Sequence, residues 1–133
     1  MKTIKPLKIF IVNEDMLSAS IYEQYIYNLG HTDVSVFNNG ISCMYHLTQK
    51  PDIIFLDQGM DIATSLEILK KIKQIDYDVY VIFLADEENI QTAISAFKYG
   101  AFEYVVKSES NGKNIKYILE KISAIGEMLH KQN

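Results

Sequence analysis

The chain has 133 residues, of which 48% are hydrophobic and 23% charged; this suits one folded domain with a sizeable core and excludes a disordered polymer. A net charge of −4 and a pI near 5.3 argue against direct nucleic-acid binding, which needs clustered Lys and Arg. No apolar run approaches the roughly 18–20 residues of a membrane helix, and Asn13, Glu14 and Asp15 interrupt the N-terminal apolar run before any signal-type segment, so a cytoplasmic protein without membrane contact is expected.

Residues 7–12 are nearly all apolar and β-rich, the pattern of a buried strand. Residues 16–29 follow as a helix, with Leu17, Ile21 and Tyr25 four apart and Gly30 as its stop. A short strand is predicted at 34–37 and a second helix at 40–50, closed by Pro51. Cys43, the single cysteine, has no disulfide partner and no metal-spaced neighbour beyond a lone His46, so it reads as a half-buried helix residue. His31, His46 and His130 are scattered and suggest no site.

Residues 52–57 form a third buried strand ending in Asp57, and 63–75 a third helix with Leu66, Leu69 and Ile72 on one side. The uncharged run 79–84 is a fourth strand. A fourth helix over 88–99 is expected to turn Ile90, Ala93, Ile94 and Phe97 inward and to stop at Gly100. A fifth strand covers 103–106, and a last helix 111–130 carries a core stripe of Ile115, Ile118, Leu119, Ile122, Ile125 and Leu129.

Strands alternating with helices imply an α/β fold: a doubly wound parallel sheet covered on both faces, joined by right-handed crossovers. Ligands in such sheets bind beyond the carboxyl ends of the strands, at the switch point in strand order. Asn13, Glu14 and Asp15 follow the first strand, Asp57 ends the third, Ala85, Asp86 and Glu87 follow the fourth, and Lys107 and Ser108 end the fifth. With strand order 2-1-3-4-5, Glu14, Asp57 and Lys107 converge on one pocket. Crowded carboxylates repel one another, and a hard cation such as Mg²⁺ removes the conflict. A nearby Lys offers a point charge to a phosphoryl oxygen, so phosphoryl transfer to Asp57 is chemically reasonable. Asp15 reads separately, as the cap of the helix that follows it.

These residues resemble the receiver domain of bacterial two-component response regulators, a flavodoxin-like three-layer fold, over nearly the whole chain. PDIIFLD at 51–57 is similar to the family's third strand and phosphoacceptor, and SLEILKKIK at 65–73 to its third helix. AISAFKYGAFEYVVK at 93–107 is similar to its fourth helix, Gly-Ala turn, fifth strand and Lys. The resemblance implies that Asp57 accepts a phosphoryl group from a histidine kinase or phosphotransfer protein, a reaction receiver domains catalyse for themselves. It further implies Mg²⁺ (or Mn²⁺) held by Glu14, Asp57 and the backbone carbonyl of Gly59, with Asn13 acting through water. Lys107 then pairs with the phosphoryl group, and Tyr104 is the aromatic switch.

Four positions depart from the family pattern. Asn13 replaces an acid and brings no charge to the metal. Ala85 replaces a Thr or Ser whose hydroxyl bonds the phosphoryl group and relays it to Tyr104. Asp61 and Ser65 stand where Pro and Gly are usual. Ser108 replaces the Pro after Lys107, which makes a cis peptide there unexpected. Phosphorylation with altered coupling is the reading these changes favour.

Three alternatives follow. One is a pseudo-receiver serving as an unphosphorylated interaction module. Another is a flavin-binding electron carrier, which needs a phosphate-cradling loop where Asn13, Glu14 and Asp15 stand. The third is a hydrolase using Asp57 as nucleophile, for which the chain is short. The expectation is a single receiver domain over 1–133 (core 7–130) with no output domain visible. In the family the fourth helix, fifth strand and last helix contact partners, so a homodimer or a downstream protein is expected to use Ser95, Lys98, Tyr99, Glu103 and Tyr117.

Overall fold

The computed structural model describes residues 6–110 and 112–131. Five parallel strands form one sheet in the order β2-β1-β3-β4-β5: β1 (Lys8–Val12), β2 (Asp33–Phe37), β3 (Ile53–Asp57), β4 (Tyr80–Ala85) and β5 (Glu103–Val106). The helices are α1 (Met16–Asn28), α2 (Gly40–Tyr45), α3 (Ile62–Ile75), α4 (Ile90–Lys98), a single turn α5 (Lys107–Ser110) and the long α6 (Lys113–Lys131).

Alternation along each strand sends successive side chains to opposite faces and builds two cores. Phe10, Val12, Ile54, Leu56, Val81 and Phe83 face Cys43, Leu69, Ile72 and Ala96, contributed by α2, α3 and α4. Ile9, Ile11, Ile53, Phe55, Ile82 and Leu84 face Ile26 of α1 and Ile115, Ile118, Leu119 and Ile122 of α6. All five residues of β3 are buried, because the strand is central and covered on both sides.

The structure corrects several expectations. The predicted helix over 40–50 breaks: α2 ends at Tyr45, and a 3₁₀ turn Leu47–Gln49 carries the chain to Lys50, whose φ of 58° is left-handed. His46 Nδ1 pairs with the Ser42 carbonyl at that break. Cys43 is fully rather than half buried. The core stripe of the last helix stops short of Leu129, which is 55% exposed. The expected start of that helix, Asn111, lies outside the described residues.

Ile90, Ile94 and Phe97 of α4 were expected inward but are 70%, 60% and 50% exposed. The helix seats on the sheet through Thr92 and Ala96, which are small enough for close approach. The space that larger side chains would fill is taken by Tyr99 and Tyr104, which pack against the same core.

Candidate functional site

Pairing of β3 with both β1 and β4 fixes where the polar residues gather. Asp57 is the last residue of β3, opposite Leu84, and Gln58 continues the ladder by donating its N–H to the Leu84 carbonyl at 2.8 Å. Asn13 follows β1 and donates its N–H to the Phe37 carbonyl at 3.0 Å. Asp86 follows β4, and Lys107 follows β5.

Asp57 is 7% exposed, yet its carboxylate is well supplied with donors. Oδ1 accepts the Gly59 N–H at 2.8 Å. Oδ2 accepts from Lys107 Nζ at 2.7 Å and, more weakly, from Asn13 Nδ2 at 3.5 Å. Asn13 is oriented by its other end, since its Oδ1 accepts the Asp15 N–H at 2.9 Å. It therefore presents a donor to Asp57, while an amide oxygen's second lone pair is of the type that accepts from a metal-bound water. Asp15 caps α1 as expected, accepting from the Leu17 and Ser18 N–H groups, and these bonds hold its carboxyl below the usual value.

Glu14 is exposed and leans across the loop after β3. A Cβ built on Gly59 would lie 2.6 Å from Glu14 Oε1, and Gly59 has a φ of 67°, so both space and backbone favour glycine there. Ser65 of α3 donates its hydroxyl to the Gln58 carbonyl, tying the loop to the helix. Asp61, in the position where Pro was usual, caps α3 through the Ala63 N–H.

Lys107 spans two acids: its Nζ is 2.7 Å from Asp57 Oδ2 and 2.5 Å from Asp86 Oδ1. Burial works to lower its pKa, but the hydrogen bonds and charges of Asp57 and Asp86 outweigh burial and hold it above the usual lysine value. Ala85 is fully buried beside this pair and offers no hydroxyl. Tyr104 lies half-buried, stacked on Phe83 with ring centroids 6.0 Å apart, and its hydroxyl donates to the Glu87 carbonyl at 2.9 Å. The Lys107–Ser108 peptide, like the others among the described residues, is trans.

Asp86 stands among the strand-end residues named from the sequence but without a role, and Gln58 carries no signal there. Gln58 Nε2 reaches Asp86 Oδ2 at 3.4 Å, and the Asp86 N–H donates to Gln58 Oε1 at 3.2 Å. Both residues lie one position beyond neighbouring strand ends; only the β3–β4 register sets them side by side.

Three carboxylates, those of Glu14, Asp57 and Asp86, thus share a neighbourhood with one ammonium. Among the described residues no three His, Cys, Asp or Glu side chains form a metal cage. Mg²⁺ does not need one, because it keeps several waters and takes one or two carboxylates. The excess of negative charge and the all-oxygen donor set fit a hard divalent cation.

Comparison with known proteins agrees with this geometry. The family model described as response regulator receiver domain matches residues 9–119. The chain belongs to the response regulator receiver family. It is 30% identical over 96 residues to the luminescence regulatory protein LuxO of Vibrio campbellii, covering 71% of this chain and 21% of that protein. It is 27% identical over 126 residues to the DNA-binding transcriptional regulator NtrC of Escherichia coli, covering 94% of this chain and 27% of that protein. The chain therefore spans about a fifth to a quarter of the length of these relatives. Among solved structures, the signal receiver domain of a LuxO repressor protein from Vibrio parahaemolyticus superposes with a TM-score of 0.82 at 18% identity, covering 97% of this chain and 98% of that one. The chemotaxis protein CheY4 of Vibrio cholerae superposes at 0.78 and 16% identity, covering 89% and 99%. The likeness of fold extends well beyond the likeness of sequence.

Proposed function

We propose that Asp57 is the phosphoacceptor of this receiver domain and takes a phosphoryl group from a histidine kinase or phosphotransfer protein in a two-component relay. The observation that carries this reading is the 2.7 Å pair of Lys107 with Asp57 at the mouth of the sheet. An Asp57 carboxylate oxygen attacks phosphorus, the donor's P–N bond breaks, and the imidazole leaves with the electron pair and takes a proton from solvent. With acetyl phosphate the leaving group is acetate. Hydrolysis reverses the new bond: water attacks phosphorus, the carboxylate leaves, and the surplus proton goes to solvent.

Glu14, Asp57 and the Gly59 carbonyl are the groups to hold Mg²⁺ or Mn²⁺, with Asn13 reaching it through water. The ion supplies neutralisation of phosphoryl charge when bound. Lys107 gives a second positive charge, and the Gly59 N–H keeps the carboxylate oriented. Ala85 leaves the relay from phosphoryl group to Tyr104 without its hydroxyl, so coupling to Tyr104 runs through packing. A pseudo-receiver reading has Asn13 and Ala85 in its favour, but it leaves the Asp57–Lys107 pair without a purpose.

The partner surface in this reading is the face of α4, β5 and α6. Ile90, Ile94 and Phe97 add an exposed apolar strip to the expected Ser95, Lys98, Tyr99, Glu103 and Tyr117. A cytoplasmic location belongs to the same reading; among the described residues no helix is long and apolar enough to cross a membrane.

The test is phosphorylation by acetyl phosphate with Mg²⁺, read by intact mass. The wild type gains one phosphoryl group and Asp57→Ala gains none. No gain by the wild type, or an equal gain by Asp57→Ala, overturns the assignment.

A further inference from the structure

Lys107 is held from two sides, and the second side is built. Half of the Asp86 side chain is exposed, at 55%, which alone would describe a loose surface acid. Gln58 makes it otherwise. Gln58 is 8% exposed, its backbone is fixed to β4 through the Leu84 carbonyl, and both ends of its amide serve Asp86. The amide oxygen takes the Asp86 N–H and the amide nitrogen faces Oδ2, so Oδ1 is left directed at Lys107, 2.5 Å away.

We propose that Asp86, oriented by Gln58, is a positioning residue that competes with the phosphoryl group for Lys107. This rests on the phosphoacceptor reading of Asp57. A lysine ammonium is one compact point charge. When the phosphoryl group arrives, its oxygen replaces Asp57 Oδ2 as the ammonium's partner on that side. Asp86 remains in contact with the same ammonium, cancels part of its charge, and adds a negative charge near the incoming anion. The conflict matters more here because residue 85 is an alanine and gives the phosphoryl oxygens no hydroxyl. Asp86 therefore weakens the hold on the phosphoryl group and shortens its residence.

The test uses beryllofluoride with saturating Mg²⁺ as the phosphoryl mimic, with affinity measured by calorimetric titration on the whole chain. Asp86→Asn keeps the size of the side chain and removes the charge; it is expected to bind beryllofluoride three- to tenfold more tightly. Asp86→Glu restores a carboxylate and is expected to fall within twofold of the wild type. Glu87→Gln removes one charge at the neighbouring position and is expected to change affinity less than twofold. Unchanged or weaker binding by Asp86→Asn overturns the proposal. So does an equal gain from Glu87→Gln, which would mean that overall charge and not contact with Lys107 is responsible. A wild type that binds no beryllofluoride and gains no phosphoryl mass removes the phosphoacceptor reading and this inference together. Wild-type binding that Asp86→Asn leaves unchanged removes this inference alone.

Discussion

Single residues in this domain owe their properties to what surrounds them, and Cys43 shows it as clearly as Asp57. Asp57 stays at the end of a buried strand because one oxygen takes the Gly59 N–H and the other the Lys107 ammonium. Unpaired, a carboxylate at 7% exposure would be costly. Cys43 has no such partners: burial among apolar side chains pushes its thiol up to about 12. A group whose pKa is raised in the folded state stabilises the fold fully below its unfolded pKa. That contribution fades as pH rises through the window from the ordinary thiol value of 9.0 to about 12. At pH 8 the native thiol is protonated and enclosed, so alkylation by iodoacetamide is expected to be at least 100-fold slower than in urea. Comparable rates in the two conditions would show that Cys43 is not enclosed.

At the scale of elements, the first four helices, α1 to α4, each start where a side chain replaces the missing intrahelical partner. Asp15, Asn39, Asp61 and Asn89 each accept a backbone N–H from the first turn of α1, α2, α3 and α4. Asn89 does so for Thr92 N at 3.0 Å. Its loss should be felt more than most, because α4 has only nine residues and buries only Thr92 and Ala96. Asn89→Ala is expected to lower unfolding stability by about 1 kcal/mol in urea titration, with Asn89→Ser close to the wild type. An unchanged midpoint for Asn89→Ala would mean that packing alone holds this helix. The turn α5 starts at Lys107 itself: a Pro at 108 would disfavour helical backbone for the residue before it, and Ser108 imposes no such restriction.

The whole molecule shows an asymmetry between its two sheet faces. On one, α1 and α6 contribute large aliphatic side chains to the core. On the other, α4 contributes chiefly Ala96 and turns Ile90, Ile94 and Phe97 outward. An apolar strip of that kind on a domain this size suits contact with another protein. If the face of α4, β5 and α6 pairs two copies on phosphorylation, sedimentation with Mg²⁺ and beryllofluoride should show a dimer where the untreated protein is a monomer. Ile94→Lys should abolish the shift while leaving beryllofluoride affinity unchanged when both proteins are titrated at concentrations below dimerisation. A monomer under both conditions would leave the strip to a different protein partner.

The sequence by itself determined the five strands, the order of helices between them and the two residues of opposite charge that meet at 2.7 Å, Asp57 and Lys107. Strand runs such as IIFLD carry their burial in composition, and strand-end residues need only the parallel topology to be brought together. Tertiary structure decided the rest. Periodicity located the apolar stripe of α4 but not its direction, because a helix with small residues on the opposite side can seat either way, and Tyr99 and Tyr104 had already filled the space. Spacing along the chain also held no sign of the Gln58–Asp86 bracket. Those residues lie 28 positions apart and meet through strand register alone, which is where Lys107 acquires its second partner.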